Sequence, residues 1–261
     1  MTNDPLDFSD KVAIVTGGTK GLGKVIAETF LNSGAEVVIC ARNEPDTLVA
    51  AGGRAASFVA ADVRDPEQCA AVVDTAVQRH GRLDVLVNNA GGAPPAPSAT
   101  VSPRFNEKIV ALNLLGPMQF SQAAHDVMSA QEAGGTIINI SSVSGTRANP
   151  MGVAYGAAKA GLANMTRTLA HEWGPKIRVL TVTVGMIVTE DAELFYGDEQ
   201  GIEAVGKTLA LKRMGTPADI ADVCLFAASP LARWMTGTEI EVHGGGETPA
   251  YLGASTGDVT K

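Results

Sequence analysis

Residues 16–23 read Thr16-Gly17-Gly18-Thr19-Lys20-Gly21-Leu22-Gly23 and join a β-rich run, Val12–Thr16, to a segment, 22–32, with apolar residues at helical spacing. Gly17 and Gly21 let the backbone turn tightly, and Gly23 lets the helix pack close to the sheet. A helix starting here presents free N–H groups, which suit a pyrophosphate. On its own a glycine-rich turn is often only a tight connection. Its position between the first strand and the first helix turns the reading towards a dinucleotide.

Outward from this turn, short apolar runs alternate with longer amphipathic segments. Strands are expected at 37–40, Ser57–Ala60, 83–88, 136–141, Ile177–Val184 and 238–242. Helices are expected at Pro66–His80, 103–130, 152–173 and Pro217–Ala228. Continuous apolar strands separated by helices imply a parallel sheet covered on both faces. Right-handed crossovers then give an α/β, Rossmann-type, doubly wound sheet. There is no internal repeat, and residues 93–97 (APPAP) read as a loop. We expect one domain over residues 9–246, an N-terminal extension at 1–8 and a Gly/Ser/Thr-rich tail at 247–261, which either frays or reaches a neighbouring subunit.

The 261 residues are 45% hydrophobic, enough for one sizeable core. The net charge is −8 with no Lys/Arg run, which disfavours nucleic acid as a partner. The acidic start, Met1-Thr2-Asn3-Asp4-Pro5-Leu6-Asp7, lacks the apolar stretch of a signal peptide, and no apolar run is long enough to span a bilayer. Cys40, Cys69 and Cys224 are scattered and read as reduced, partly buried thiols of a cytoplasmic protein. The four histidines have no metal-ligand spacing; His171-Glu172 opens like a zinc motif, but no second His follows, so no metal site is expected.

The cofactor's adenosine ribose belongs at the end of the second strand, where an acid would hold the 2′-OH and repel a 2′-phosphate. Here the chain reads Cys40-Ala41-Arg42-Asn43, without an acid. Arg42 offers a fork to a phosphate and Lys20 a second cation, so NADP is favoured and NAD stays possible.

Tyr155 and Lys159 lie four apart on an expected helix and share a face. A nearby ammonium lowers a tyrosine's pKa, and such a phenol exchanges protons with an alcohol or ketone. By spacing alone the pair is usually an ordinary surface pair. Its neighbours change that reading. Ser141-Ser142 ends the preceding strand, Asn88-Asn89-Ala90-Gly91 ends the strand before, and Asn113 sits inside a helix where Asn is a poor former that needs a partner if buried.

Together these residues resemble the short-chain dehydrogenase/reductase family over residues 9–246. TGGTKGLG, NNAG, Asn113, and Ser142 followed by Tyr155-x-x-x-Lys159 stand in the family's order. The resemblance implies that Tyr155 is the proton donor or base, that Lys159 lowers its pKa and holds the nicotinamide ribose, and that Ser142 binds the substrate oxygen. Ser142 is preferred to Ser141 because it lies 13 residues before Tyr155. Asn113 is implied to hold a water in a relay to Lys159. For the cofactor it implies Gly17, Thr19, Lys20, Gly21, Leu22 and Gly23 in the turn. Further along it implies Arg42, Asp62 and Val63 near the adenosine, then Asn88, Asn89, Ala90 and Gly91. Gly185, Ile187 and Thr189 fall near the nicotinamide and phosphates.

Three departures stand out. Val184 replaces a common proline before Gly185, His243-Gly244-Gly245 replaces Asp-Gly-Gly, and the segment after Arg42 is short, which trims the helix expected there. Residues 190–207 should form a mobile lid, with Leu194, Phe195 and Tyr196 either lining an apolar pocket or simply packing. Residues 144–151 form another wall, in which Arg147 is more often solvent-facing than bound to an anionic substrate. The expected activity is NADP(H)-dependent conversion of a ketone or secondary alcohol in a homotetramer. A 3-oxoacyl-carrier-protein reductase is the alternative, ranked lower because the end of the long helix, from Met128, bears no base. A silent dinucleotide-binding scaffold ranks lower still, since Ser142, Tyr155 and Lys159 are all present. A Ser142 hydrolase lacks a G-x-S-x-G elbow.

Overall fold

The computed structural model describes residues 4–254. Strand β1 (Val12–Thr16) turns Ala13 and Val15 to one face of the sheet and Val12 and Ile14 to the other, and both faces are covered. That double burial is why the run is continuously apolar. In chain order there follow α1 (Gly21–Asn32), β2 (Glu36–Ala41), β3 (Ala50–Ala51), β4 (Arg54–Ala55), β5 (Ser57–Ala60), α2 (Pro66–His80), β6 (Val85–Asn88) and α3 (Pro103–Val110). A π-helical turn, Ala111–Leu115, leads into α4 (Gly116–Ala130), β7 (Gly135–Ser142), α5 (Val153–Trp173) and β8 (Ile177–Val184). The remaining elements are α6 (Glu193–Tyr196), α7 (Glu199–Thr208), α8 (Pro217–Ala228), β9 (Glu239–Val242) and α9 (Ala250–Ala254).

Seven strands form one parallel sheet in the order β5-β2-β1-β6-β7-β8-β9. Helices α1 and α8 cover one face through Ile26, Phe30, Ile220 and Cys224. Helices α2 and α4 cover the other through Val72, Phe120 and Met128. The chain works outward from β1 to β5, then returns to β6 on the other side of β1. Such a reversal opens a crevice at the carboxyl ends of the strands, where ligands bind in doubly wound folds.

Two expectations change. The shortened helix after Arg42 is replaced by the β3–β4 hairpin, turned by Gly52 and Gly53 at φ 58° and 75°. The long helix over 103–130 is not continuous, because a wider π turn interrupts it around Asn113. Phe8, in the stretch read as an extension, is buried edge-on against Phe30 at 5.4 Å, and its N–H donates to the Ser33 carbonyl. The expectation for residues 255–261 lies outside the described residues. All three cysteines are buried, and burial pushes their thiols up to about 12, so they are unreactive near neutral pH. Among the described residues, no helix is long and apolar enough to cross a membrane.

Candidate active site

The glycine turn is shaped for close approach. Gly17 and Gly21 have φ of 65° and 55°, and a Cβ on Gly23 would sit 2.3 Å from the Gly17 carbonyl oxygen. Helices α2, α3, α7 and α8 are each capped at the N-terminus by a side chain, from Asp65, Ser102, Asp198 and Thr216. Helix α1 is not: Lys20 stands at its N-cap with no side-chain hydrogen bond. Apart from the Gly21 N–H, which meets Glu190 Oε1 at 3.4 Å, its first N–H groups carry no side-chain cap, and the backbone fits a pyrophosphate.

Thr16 ties this turn to its neighbour. Its hydroxyl accepts from the N–H groups of Asn89 at 3.0 Å and Ala90 at 2.9 Å, while Asn89 Nδ2 donates to the Thr16 carbonyl at 2.9 Å. Asn88, expected near the adenosine, points inward instead. It is buried and donates to Asn139 Oδ1, Ser121 Oγ and the Pro117 carbonyl, bracing the sheet against α4.

At the adenosine end, Arg42 is exposed and acts on Asp62 through its charge. The Asp62 carboxylate is gripped by the Arg64 guanidinium, from Nε at 2.8 Å and from Nη2; this hydrogen bond is the main cause that holds its pKa down to about 2. Val63 is buried. Lys20 does not stand free. Its ammonium pairs with Asp191 at 3.0 Å, and Glu190 Oε1 lies 3.4 Å from the Gly21 N–H. Glu190 and Asp191 thus lay two carboxylates on the glycine turn.

A cavity of about 570 Å3 brings together Leu22, Asn89, Gly91, Ser142, Tyr155, Lys159, Gly185, Ile187 and Thr189. Leu22 and Gly23 follow the turn into α1, while Gly17, Thr19, Lys20, Arg42, Asp62 and Val63 lie outside this cavity's lining. Strand β7 supplies two serines with different surroundings. Ser141 is buried and donates to the Lys159 carbonyl at 3.2 Å, fastening α5 to the sheet. Ser142, at the strand's end, accepts from the Ser144 N–H at 3.1 Å and lines the same cavity as Tyr155.

Lys159 is buried, and its ammonium donates to the Ile140 carbonyl at 2.7 Å, 5.6 Å from the centre of the Tyr155 ring. Burial pushes its pKa down to about 8. Burial also raises the Tyr155 phenol, opposed by the hydrogen bond from Ser142 and reinforced by Tyr196. Lys159 is not among the groups that shift this phenol, so the lowering expected from it gives way to a rise caused by burial. Asn113 is fully buried at the π turn. Its Nδ2 donates to the carbonyls of Ile109 and Gly92, and its Oδ1 accepts from the Gly92 N–H at 2.8 Å. A Cβ on Gly91 would lie 2.7 Å from Asn113 Oδ1 and 3.3 Å from Lys159 Nζ, so the glycine leaves room for both groups beside its backbone.

Two of the three sequence departures meet here. Gly185 follows Val184, its N–H donates to the Val242 carbonyl, and a Cβ on it would fall 2.6 Å from His243. In the lid, Phe195 and Tyr196 line the cavity, whereas Leu194 is 80% exposed and turns away. The hydroxyl of Thr16, the Glu190 carboxylate and the Arg147–Glu247 ion pair were not singled out from the sequence. Only Thr16 carried a signal, as the last residue of the strand entering the turn.

Comparison with known proteins agrees with this arrangement. A family model described as Enoyl-(Acyl carrier protein) reductase matches residues 17–247. An uncharacterized oxidoreductase of Mycobacterium tuberculosis is 37% identical over 250 residues, covering 94% of this chain and 95% of its own. The 7alpha-hydroxysteroid dehydrogenase of Escherichia coli K12 is 33% identical, covering 94% and 98%. The structure of a short-chain type dehydrogenase/reductase from Mycobacterium ulcerans superposes with a TM-score of 0.85 at 30% identity, over 92% of this chain and 90% of that one. The nucleotide turn, the parallel sheet and the Ser-Tyr-Lys cluster thus belong to an oxidoreductase, and the chain is a member of the short-chain dehydrogenase/reductase family.

Proposed function

We propose that this enzyme interconverts a ketone and a secondary alcohol with NADP(H), using Tyr155 as proton donor in reduction and base in oxidation. The observation that carries the reading is the convergence of Ser142, Tyr155 and the buried Lys159 ammonium on one cleft. A substrate oxygen placed between Ser142 and Tyr155 accepts two O–H hydrogen bonds, which strengthen as negative charge develops on it. The Tyr155 phenol, raised by burial, keeps its proton near neutral pH and gives it to that oxygen. Lys159 stabilises the phenolate left behind, and Asn113, across Gly91, links this ammonium to backbone and water. When bound, the nicotinamide supplies the hydride for reduction and accepts it in oxidation.

The residues that would hold the cofactor are the backbone of Gly17, Thr19, Gly21, Leu22 and Gly23 for the pyrophosphate, with Asn89, Ala90 and Gly91 beside the ribose. Gly185, Ile187 and Thr189 face the nicotinamide end. Asp62 and Val63 flank the adenine, although Asp62 is engaged at its carboxylate by Arg64 and at its N–H by Gln68. Arg42, exposed and without an acid beside it on β2, favours a 2′-phosphate, with Lys20 joining once it leaves Asp191. NAD(H) remains the lesser cofactor.

The secondary-alcohol chemistry named for the hydroxysteroid dehydrogenase relative supports this substrate class. The family model's description favours a second reading, an acyl thioester on a carrier protein. A screen following NADPH oxidation over ketones, steroids, sugars and β-ketoacyl thioesters separates the two. Turnover of free ketones supports the first reading, turnover of thioesters alone supports the second, and none with any carbonyl rejects both. We further assign the enzyme to the cytoplasm as a homotetramer, with apolar residues such as Leu115 and Val153, 42% and 56% exposed, available for subunit contacts. Sedimentation as a monomer at micromolar concentration would reject that assembly.

A further inference from the structure

The substrate cleft is electrostatically one-sided. The charged residues lining it, among those described, are Lys159 and Arg147, and no carboxylate lines it, although the whole chain carries a net charge of −8. Lys159 lies buried at the base, held by the Ile140 carbonyl. Arg147 belongs to the wall after β7, five residues beyond Ser142, so its guanidinium is the permanent cation available to the part of a substrate remote from the reacting carbonyl.

Its present partner comes from outside that lining. Arg147 Nη2 donates to Glu247 Oε1, with side chains 44% and 30% exposed, and Nη1 makes only a long contact to the Ala148 carbonyl at 3.5 Å. Glu247 follows Gly244, Gly245 and Gly246, three successive glycines at φ 63°, 86° and 74°. The backbone here is held by a bridge between Glu247 and Leu209 and by the Ala210 and Leu211 N–H groups donating to Gly246 and Gly244, so withdrawal takes only a rotation of the Glu247 side chain. Tyr196 of the lid lies near enough to feel the charges of both Arg147 and Glu247, which places the pair where lid, wall and C-terminal segment meet.

An exposed ion pair contributes little, because solvent screens it. A planar carboxylate brought into the cleft under the lid accepts the same guanidinium fork with less solvent around it, and such charge-assisted pairs are stronger. We infer that Arg147 selects a substrate carrying a carboxylate away from its reacting carbonyl, a keto acid and its hydroxy acid, and that Glu247 is the counter-ion which this carboxylate displaces. This rests on the carbonyl-reductase reading above and specifies its substrate class.

The test compares keto acids, over a short series of chain lengths, with their methyl esters, following NADPH oxidation at low ionic strength. The wild type is expected to favour the acid in kcat/KM by about 10-fold or more at the best length, chiefly through KM. Arg147→Ala brings the acid-to-ester ratio to about one, Arg147→Lys keeps part of the preference, and Glu247→Gln raises the ratio. A wild-type ratio near one, or a ratio that Arg147→Ala does not move, overturns this inference while leaving the oxidoreductase reading intact. Oxidation of NADPH with neither acids, esters nor any neutral ketone overturns the activity itself, and this inference with it.

Discussion

The floor and the rim of this cleft are held by different kinds of interaction. On the floor, Asn113 and Lys159 are buried and fastened to backbone: Asn113 to Gly92 and Ile109, Lys159 to Ile140. On the rim, Lys20–Asp191 and Arg147–Glu247 are partly exposed ion pairs between segments distant in sequence, and Glu190 rests against the Gly21 N–H. Buried groups bonded to backbone are costly to displace, whereas screened pairs exchange partners readily. The floor therefore suits a fixed proton-transfer geometry. The rim suits groups that let go of one another to take cofactor or substrate.

The comparison can be broken most forcefully at the floor. Lys159→Met removes the ammonium beside Tyr155 while keeping volume, and kcat for reduction should fall by about 100-fold or more. Retention of wild-type turnover would move Lys159 out of the proton path. The same group sets a pH limb. Burial lowers its pKa to about 8, so the ammonium is present below that pH and is lost as pH rises through it. Reductive kcat/KM should accordingly decline above about pH 8, and Lys159→Arg should carry the decline to higher pH because arginine keeps its charge. An unchanged profile in that variant would assign the limb elsewhere.

At the rim the effects are smaller. Arg42→Ala should weaken NADPH by about 10-fold relative to NADH, measured by calorimetry, since it removes one charged contact to the 2′-phosphate. Equal loss for both cofactors would argue against a phosphate site there. Glu190→Gln should tighten dinucleotide binding by only about 2- to 3-fold at low salt, with the gain vanishing at high salt as screening removes the repulsion. A loss of affinity would instead make Glu190 a supporting residue of the bound turn.

The sequence made the floor more legible than the rim. Apolar runs marked the central strands because these are covered on both faces, and Gly17, Gly21 and Gly23 announced a turn where side chains do not fit. Asn113 was suspicious inside a helix, yet the π turn that lets it meet Gly92 depends on tertiary packing that periodicity does not report. The β3–β4 hairpin rests on four paired residues and two glycines, too short for a periodic signal. Lys20 and Arg147 could be read as cations, but their acids lie 171 and 100 residues away, brought close by the courses of loops. Exposed pairs add so little free energy that no local pattern has to encode them. The effect of burial on Tyr155 was hidden for the same reason: spacing showed that Lys159 shares its face, but not how far both groups are withdrawn from water.

The central claim is proton transfer by Tyr155 to a carbonyl held by Ser142. Tyr155→Phe keeps the ring and deletes only the hydroxyl, so the decisive measurement pairs steady-state reduction with NADPH binding by calorimetry on this one variant. The account predicts that NADPH binds within a few-fold of wild type while turnover falls by at least about 100-fold. Turnover close to wild type with binding preserved would contradict it.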